Sequence, residues 1–428
     1  MRTARTLAVG AAALALLAAG CSSSGDDEDT AAPGGTITVW THVNKSFNDE
    51  YRALADAYVE ENPDATINIE TFEYDSYIQT LQTTIPAGNE ADVLQMFGSW
   101  VCSYSSNLST VPDNVMSMSE AEKDFFGGPL GGYQCDDSLY GLPQESNVEY
   151  GATLVNTEMA EAANASTEGW ETYDDFMADA KAMTVTDDGE ITRAGYHFTT
   201  NDGIAYSFLS LILQNGGSYL ADDGTFTFQT PEATASMDLM NSFVTEGITD
   251  PALFTDTTNW VGDCYFSELC AMGLVGPWVM PEYEADFPEV TAVTEYVALP
   301  TLENSSFAAD SGWGLTVSSN SPEQELAWDF ASYVATNASN ALQWNLATGT
   351  LPALKENAQG EARDELIANA SYTEPWLDIL GDAQYLGSLP DRDRLFYRII
   401  VPNVLDVMNG QKSVEDALAS IEQEANSL

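Results

Sequence analysis

Strand and helix patterns alternate strictly between residues 36 and 97. Apolar and polar residues alternate in the strand segments, and apolar residues recur at helical spacing in the segments between them. The predicted order is a strand at 36–41, a helix at 47–58, a strand at 66–72, a helix at 74–85 and a strand at 92–97. Pro63 and Pro86 follow the two helices and end them. This order predicts a parallel α/β sheet.

The ends of these predicted strands carry polar and aromatic side chains. Ligands of parallel α/β sheets bind in the crevice beyond the carboxyl ends of the strands. The residues that fall there are those from His42 to Lys45, Glu73 and the stretch 96–100, which includes Trp100. We therefore expect them to line one crevice.

A second set of elements begins near residue 150, which predicts a second lobe. Helices are predicted at 173–183 and 231–245, and the segment 208–214 is apolar on all sides, as in a buried helix. Asp188 and Gly189 predict the turn of a hairpin. A chain of 428 residues is long enough for more than one lobe.

The chain is strongly acidic but has the composition of a folded protein. It has 67 Asp and Glu against 13 Lys and Arg, a formal net charge of −54, while 44% of its residues are hydrophobic. Nucleic acid is excluded as a partner because few cations are available to bind its backbone. The acidity is typical of a solvated surface suited to high salt or high pH. We expect Arg392, Arg394 and Arg398 to form ion pairs with that surface.

The first 20 residues have the pattern of a signal peptide. Two arginines, Arg2 and Arg5, precede an apolar run at 7–19 that is too short to span a membrane. Small residues then precede Cys21, an arrangement that resembles the lipobox of bacterial lipoproteins and implies lipidation of Cys21. Residues 21–35 are small and polar, and predict a flexible acidic tether. An ordinary signal peptide with Cys21 downstream is the alternative.

Four further cysteines suggest two disulfides in an exported protein. Pairing of sequence neighbours gives Cys102–Cys135 and Cys264–Cys270, although the spacing permits three pairings. A zinc site is the rival interpretation, but the sequence has no Cys-x-x-Cys pair and only two histidines. We therefore predict no metal.

Six groups of residues, in a fixed order along the chain, resemble one family of proteins. They are 139–143 (LYGLP) with 151–156 (GATLVN), 169–183 (GWETYDDFMADAKAM), 271–278 (AMGLVGPW), 312–314 (GWG), 349–354 (GTLPAL) and 413–421 (SVEDALASI). Together they are similar to the family 1 extracellular solute-binding proteins of ATP-driven sugar importers. Each group alone is weak, but six in the same order are specific.

The resemblance implies an α/β, two-lobed periplasmic-binding-protein-like fold with a hinge and a ligand cleft between the lobes. It implies an N-terminal lobe of 36–147 plus 311–340 and a C-terminal lobe of 148–310 plus 341–428. The implied function is capture of a neutral mono- or oligosaccharide by hinge closure and delivery to the membrane permease of an ABC importer. Neither catalysis nor a cofactor is expected. The expected form is a monomer, lipid-anchored through Cys21 at the cell surface or in the periplasm.

Sugars need aromatic rings against their C–H faces and paired donors and acceptors for their hydroxyls. The aromatic candidates for ligand contact are Trp278, where the family commonly stacks a sugar, and Trp313, Trp100, Trp344 and either Trp260 or Tyr265. The polar candidates at strand ends and at the matched groups are His42, Glu73, Gln95, Glu145, Asn147 and Asp310.

Two other functions remain open at the level of sequence. The same fold could bind a glycerol phosphoester or another small solute, but only Lys45 and Arg52 are expected near the first-lobe crevice. A secreted glycoside hydrolase needs a pair of carboxylates, which are abundant here. The sequence has no G-x-S-x-G, H-E-x-x-H or phosphate-loop motif, and the matched groups belong to binding proteins.

Overall fold

A computed structural model describes residues 33–198, 202–221, 223–251, 263–387, 389 and 391–428. The signal peptide at 1–20, the lipidation site Cys21, most of the 21–35 tether and Trp260 lie outside the described residues. Within the described ranges, no helix is both long enough and apolar enough to cross a membrane.

The strands are short and spread over the whole described chain. In order they are β1 (Gly35–His42), β2 (Ala65–Phe72), β3 (Val93–Phe97), β4 (Gln134–Cys135), β5 (Ser138–Leu139), β6 (Leu142–Pro143), β7 (Glu145–Ser146), β8 (Ala152–Asn156), β9 (Val185–Asp187), β10 (Glu190–Arg193), β11 (His197–Phe198), β12 (Met272–Leu274), β13 (Thr294–Ala298), β14 (Phe307–Ala309), β15 (Trp313–Val317), β16 (Leu351–Pro352) and β17 (Ala383–Tyr385).

The α-helices lie between and around these strands. In order they are α1 (Lys45–Glu61), α2 (Tyr74–Thr84), α3 (Gly98–Tyr104), α4 (Met118–Asp124), α5 (Gly127–Gly131), α6 (Thr157–Ala163), α7 (Tyr173–Met183), α8 (Asp202–Gln214), α9 (Pro231–Thr245), α10 (Asp263–Phe266), α11 (Met280–Asp286), α12 (Pro288–Thr291), α13 (Gln324–Ala335), α14 (Ala338–Thr348), α15 (Gly360–Asn369), α16 (Glu374–Ile379), α17 (Arg392–Arg394), α18 (Val401–Met408) and α19 (Val414–Ala425). A π-helix, Leu395–Ile400, joins α17 to α18.

The first sheet has the strand order β2-β1-β3-β15-β6. β1 pairs in parallel with β2 and β3, while β15 pairs antiparallel to β3 with Trp313 opposite Phe97. The predicted parallel α/β unit is therefore confirmed. Because β15 runs in the opposite direction, its first residue lies at the edge where β1 and β3 end.

The second sheet has the order β11-β12-β8-β13. β12 and β13 both run antiparallel to β8, and Gly273 pairs with Leu154. The end of β12 therefore lies beside the beginning of β8, which brings the residues after 274 close to those before 152. The predicted helices at 173–183 and 231–245 and the turn at 188–189 are confirmed.

Two separate hydrophobic cores form around these sheets. One collects apolar side chains from 37–142 and 313–354, and the other collects those from 148–309 and most of 351–425. Helix α14, which the sequence interpretation divides at residue 340, contributes to both cores: Leu342 and Leu346 pack against the second core. Its residue Trp344 is fully buried in the first core, 4.9 Å from Phe47 and 4.6 Å from Tyr51 between ring centroids.

The segments that run between the two cores are hydrogen-bonded to each other. β7 pairs antiparallel with β16, with Glu145 opposite Pro352, and Asn147 bridges to Asp310. Three stretches of the described chain, near 144–149, 310–312 and 350–352, therefore meet at the junction of the cores.

The four cysteines behave differently in the two lobes. Cys102 and Cys135 form a disulfide that joins α3 to β4, as predicted. The other two cysteines, Cys264 and Cys270, lie side by side and are buried in the second core, where no bond joins them in this structure. Their disulfide therefore stays a prediction.

Gly195 lies against the backbone of helix α7 at a tightly packed place in the second core. A Cβ at this position would lie 1.6 Å from the carbonyl oxygen of Ala180 in α7. We expect Gly195→Ala to lower the free energy of unfolding by about 1–3 kcal/mol or more, because helix backbone must move. Denaturant unfolding checks this, with Gly127→Ala as the control, since a Cβ there meets no atom within 4 Å. Equal stabilities of the two variants would contradict the packing described.

Candidate functional site

Aromatic rings cluster around Trp313 at the edge where β1 and β3 end. The Trp313 ring stacks on the His42 ring at a centroid distance of 4.3 Å. The rings of Trp100, Phe97 and Tyr74 meet it edge-on at 5.5, 5.2 and 6.3 Å. These residues end β1 and β3 or begin α2 and α3, so the strand ends assemble the cluster, as expected from the topology.

His42 and Gln95 form a buried polar pair beside this aromatic cluster. The Oε1 atom of Gln95 lies 3.0 Å from Nδ1 of His42, and the Gln95 side chain is fully buried. Burial lowers the pKa of His42 from 6.5 to about 4, so its ring is neutral at physiological pH. The Nε2 atom of Gln95 is a buried donor without a partner in the described part of the chain.

The stretch 144–149, which crosses from one core to the other and is called the crossover below, carries Glu145 and Glu149. The carboxyl group of each binds one tryptophan. Oε1 of Glu145 accepts a hydrogen bond from the backbone N–H of Trp313 at 3.2 Å. Oε1 of Glu149 accepts one from Nε1 of Trp278 at 2.7 Å, and its Oε2 accepts the N–H of Gly276 at 2.9 Å. The crossover therefore fixes one candidate tryptophan from each core.

Burial raises the pKa of both crossover carboxylates. Each has an ordinary value of 4.5, and each is raised to about 8. The nearby Asp202 adds to the increase at Glu149, and Glu149 adds to the increase at Glu145. Both groups therefore keep a proton at neutral pH in the absence of a nearby cation.

Arg392 occupies the centre of a buried ion-pair network. Its Nε lies 3.3 Å from Oδ2 of Asp310, and its Nη2 lies 3.0 Å from Oδ1 of Asp202. Its Nη1 donates to the Tyr397 hydroxyl at 2.9 Å, and the guanidinium carbon lies 4.4 Å from the Phe396 ring centroid. Arg392 was expected to pair with the acidic surface, but its partners include the fully buried Asp310.

A cavity of about 180 Å³ opens between the two cores beside Trp100. The side contributed by α2 and α3 includes Ile78, Leu81, Gln82, Ser99, Trp100, Ser103 and Tyr104. The opposite side consists of Leu389, Asp391, Arg392 and Asp393. The cavity thus joins the aromatic cluster of the first core to the Arg392 network of the second.

The structure brings together most of the candidates from the sequence. Direct contacts link His42, Gln95, Trp100, Trp313 and Glu145 to one another, while Asn147 pairs with Asp310 and Glu149 binds Trp278. Glu73 is exposed at the start of α2, where its side chain makes no capping hydrogen bond.

Two aromatic candidates are wrong because they are core residues. Trp344 is fully buried against Phe47 and Tyr51. Tyr265 is 2% exposed, and its hydroxyl pairs with the Thr294 hydroxyl at 2.9 Å. Neither ring has a surface left for a ligand.

The sequence interpretation did not single out Glu149, Asp202 or Tyr74, which contact Trp278, Arg392 and Trp313 respectively. Glu149 follows the candidate Asn147 by two residues, and that proximity is the signal that was available. Asp202 and Tyr74 stand among many similar acidic and aromatic residues, so their positions carried no signal of their own.

Residues 44–341 match the sequence profile of the bacterial extracellular solute-binding proteins. The chain belongs to this family. It is 23% identical over 401 residues to the galactooligosaccharide-binding protein of Bacillus subtilis strain 168, and the match covers 85% of each chain. It is also 23% identical over 341 residues to a binding protein of Brucella abortus strain 2308, covering 79% of this chain and 80% of the relative.

Solved structures share the fold of this solute-binding protein. The cyclic α-maltosyl-1,6-maltose binding protein of Arthrobacter globiformis has a TM-score of 0.77 at 19% identity, covering 92% of this chain and 99% of its own. The sugar-binding protein MalE of Xanthomonas citri also has a TM-score of 0.77, at 18% identity, covering 92% and 97%. The chain therefore has the two-lobed α/β periplasmic-binding-protein fold, and its family and these neighbours are binding proteins rather than enzymes.

Glu145 makes the stability of this protein depend on pH. Its folded pKa of about 8 lies above the ordinary value of 4.5, so between these values the folded state holds a proton that the unfolded state has lost. The free energy of unfolding therefore falls as the pH rises through this window, by up to about 1.4 kcal/mol per pH unit. Glu145→Gln removes this contribution. We therefore expect the free energy of unfolding of the variant to fall less steeply with rising pH than that of the unmodified protein.

Denaturant unfolding at several pH values between about 5 and 9 measures the two slopes. Glu161→Gln, at an exposed position of α6, is the control and should follow the unmodified protein. Parallel curves for Glu145→Gln and the unmodified protein would show that Glu145 is ionised in the folded state across the whole range.

Proposed function

We propose that this solute-binding protein captures a mono- or oligosaccharide between its two lobes. The observation that carries the proposal is the aromatic cluster at Trp313, with the buried polar groups of Gln95, Glu145 and Asn147 beside it. Aromatic faces bind the C–H surface of a sugar, and buried polar groups pair its hydroxyls. The similar proteins of Bacillus, Arthrobacter and Xanthomonas bind saccharides or sugars, which supports the same ligand class.

Hinge closure is the proposed mechanism of capture. Trp313 belongs to the first core and Trp278 packs on the second, so a sugar held between them contacts both lobes. Such a ligand binds the closed form better than the open form, and this difference in affinity drives closure. The hydrogen-bonded crossovers near 144–149, 310–312 and 350–352 are the natural hinge.

Delivery to a membrane permease completes the proposed function. The closed form would present one surface to the permease of an ABC importer, as a monomeric receptor outside the cell. Lipidation of Cys21 would keep the receptor at the membrane, with residues 22–35 as a tether. The sequence pattern of residues 1–21 supports this anchoring.

The charges around the cleft argue against a phosphoester ligand. Arg392 lies within 3.3 Å of both Asp202 and Asp310, so its charge is already compensated.

Thermal unfolding of a soluble variant that begins at Ser22, against mono-, di- and trisaccharides and glycerol phosphoesters, tests the proposal. A ligand at a hundredfold its dissociation constant stabilises by about 2.7 kcal/mol. We expect one class of saccharide to raise the melting temperature by a few degrees. Trp278→Ala should remove most of this increase, because the proposed stacking surface is lost.

Trp344→Phe is the matched control for the loss of a tryptophan. Its melting temperature should start lower because a buried ring is reduced, but the increase caused by the sugar should persist. An increase with phosphoesters alone, or with no compound in the panel, would contradict the proposed ligand class.

A further inference from the structure

The cavity beside Trp100, called the Trp100 cavity below, lies between helices α2 and α3 of the first lobe and residues 389 and 391–393 of the second. Its volume is about 180 Å³. Sites that enclose drug-sized ligands have volumes of about 300–1,000 Å³, so this smaller cavity suits a ligand of the size of one sugar ring. Because each lobe contributes a wall, a ligand held there contacts both lobes, as hinge closure requires.

Trp100 gives this cavity an aromatic surface. Within the aromatic cluster, Trp313 is only 9% exposed, so most of its surface is already covered by protein. Trp100 is less buried and lines the cavity. Ile78, Leu81 and Leu389 line it as well. Together these side chains offer the kind of apolar surface against which the C–H face of a sugar packs.

Polar side chains surround this apolar surface from both lobes. Gln82, Ser99 and Ser103 belong to the first-lobe wall, and Asp391 and Asp393 belong to the second-lobe wall. The Ser99 hydroxyl has no hydrogen-bond partner among the described residues. Amide and hydroxyl groups donate and accept hydrogen bonds, whereas carboxylates only accept them. A sugar hydroxyl also does both, so its donor and its acceptor each find a partner on these walls.

Arg392 lines the cavity too, but its hydrogen-bond donors are directed at the protein. The acceptors of its four terminal N–H groups are Asp393 at 3.1 Å, Tyr397 at 2.9 Å, Asp202 at 3.0 Å and Tyr206 at 3.1 Å. Its Nε lies 3.3 Å from Oδ2 of Asp310. An anionic ligand would therefore meet the carboxylates of the second-lobe wall without an available cation, so the cavity favours a neutral ligand.

The stretch 310–312, part of the proposed hinge, connects the two walls of the cavity. Asp310 forms an ion pair with Arg392 of the second-lobe wall. The carbonyl oxygen of Gly312 accepts a hydrogen bond at 3.1 Å from the N–H of Gly98, the first residue of α3 in the first-lobe wall. A ligand that contacts both walls therefore acts on the hinge from both sides.

Asp393 is the carboxylate of this cavity with an oxygen available to a ligand. Its Oδ1 binds Arg392, no other described residue binds its Oδ2, and its side chain is 53% exposed. Oδ1 of Asp391 accepts the backbone N–H of Arg394 at 3.2 Å. Across the described ranges, no group of three or more His, Cys, Asp or Glu residues could hold a metal ion. Ligand hydroxyls are therefore the donors that suit Asp393.

We propose that the Trp100 cavity binds one neutral sugar ring, with Trp100 against its C–H face and with Asp393 and Gln82 bound to its hydroxyls from opposite lobes. This inference rests on the proposed function and names the residues that select the ligand. The ring is a free monosaccharide or the end of a longer saccharide, since both present the same hydroxyl groups to the two walls.

Isothermal titration calorimetry of the variant that begins at Ser22 tests the inference. The sugars are glucose, galactose, mannose, maltose, cellobiose, lactose and maltotriose, and any further saccharide that raises the melting temperature. For each sugar that binds, we expect Asp393→Asn to weaken binding about tenfold and Gln82→Ala to weaken it about fivefold, because hydrogen bonds to charged groups are the stronger ones. Asn at position 393 keeps an oxygen for Arg392.

Two matched controls change the same residue types at exposed positions that do not line the cavity. They are Asp364→Asn on α15 and Gln79→Ala on α2, and both should bind sugar like the unmodified protein. Asp393 and Gln82 are exposed as well, so all four variants should have similar melting temperatures without sugar.

The panel also distinguishes the two sources of the ring. Glucose that binds as tightly as maltose or cellobiose, or galactose that binds as tightly as lactose, would show that a free monosaccharide is sufficient. Binding of the longer sugars alone would show that the cavity holds the end of a chain. In both cases the losses in Asp393→Asn and Gln82→Ala support the inference.

Other outcomes contradict one proposal or both. Unchanged or tighter sugar binding in Asp393→Asn and Gln82→Ala, or a loss in only one of them, would overturn the cavity inference and leave the carbohydrate proposal intact. Binding of no sugar by calorimetry, together with no thermal shift in the wider saccharide panel, would overturn both.

Discussion

The hydrogen bonds of the crossover at 144–149 connect nearly every feature of the cleft. The backbone N–H of Gln144 donates to the carbonyl of Trp313 at 3.0 Å, and the next residue, Glu145, accepts the N–H of the same tryptophan. Four residues further on, Glu149 binds Trp278. A single short segment thus sets the positions of aromatic rings from both cores. Any rotation of one lobe against the other must change the relation between these two rings.

The same segment explains why closure should depend on a ligand. A buried polar group that loses water without gaining a partner destabilises the state that buries it. Oε2 of Glu145 is such a group in the part of the chain described here. A ligand that pairs with it removes this penalty in the closed form only, which is the difference in affinity that hinge closure requires. The N–H groups of Trp313 and Gly276 pair with other oxygens of the two crossover carboxyl groups.

Periodicity was sufficient to predict the elements of the fold, because apolar spacing and prolines mark the ends of β1, α1, β2 and α2 directly. The burial of individual aromatic residues was not predictable in this way. Trp344 and Trp313 look alike in sequence, yet one packs inside a helical core and the other begins a strand at the cleft edge. Only the antiparallel return of β15 distinguishes them, and that pairing joins residues more than two hundred positions apart.

The acidic residues of the site could not be predicted from the sequence because the chain has so many of them. With 67 of them in the chain, no pattern marks Glu149 or Asp202 as members of a site, and burial becomes the only distinction. Burial also determines how strongly dissolved salt screens the charge of each carboxylate. The field of exposed carboxylates is screened within about 10 Å at 0.1 M salt, while buried groups are screened much less. In a concentrated medium the surface charge therefore cannot select a ligand at a distance. Discrimination between ligands must then come from side chains buried between the lobes, such as Asp310 and the Arg392 that pairs with it.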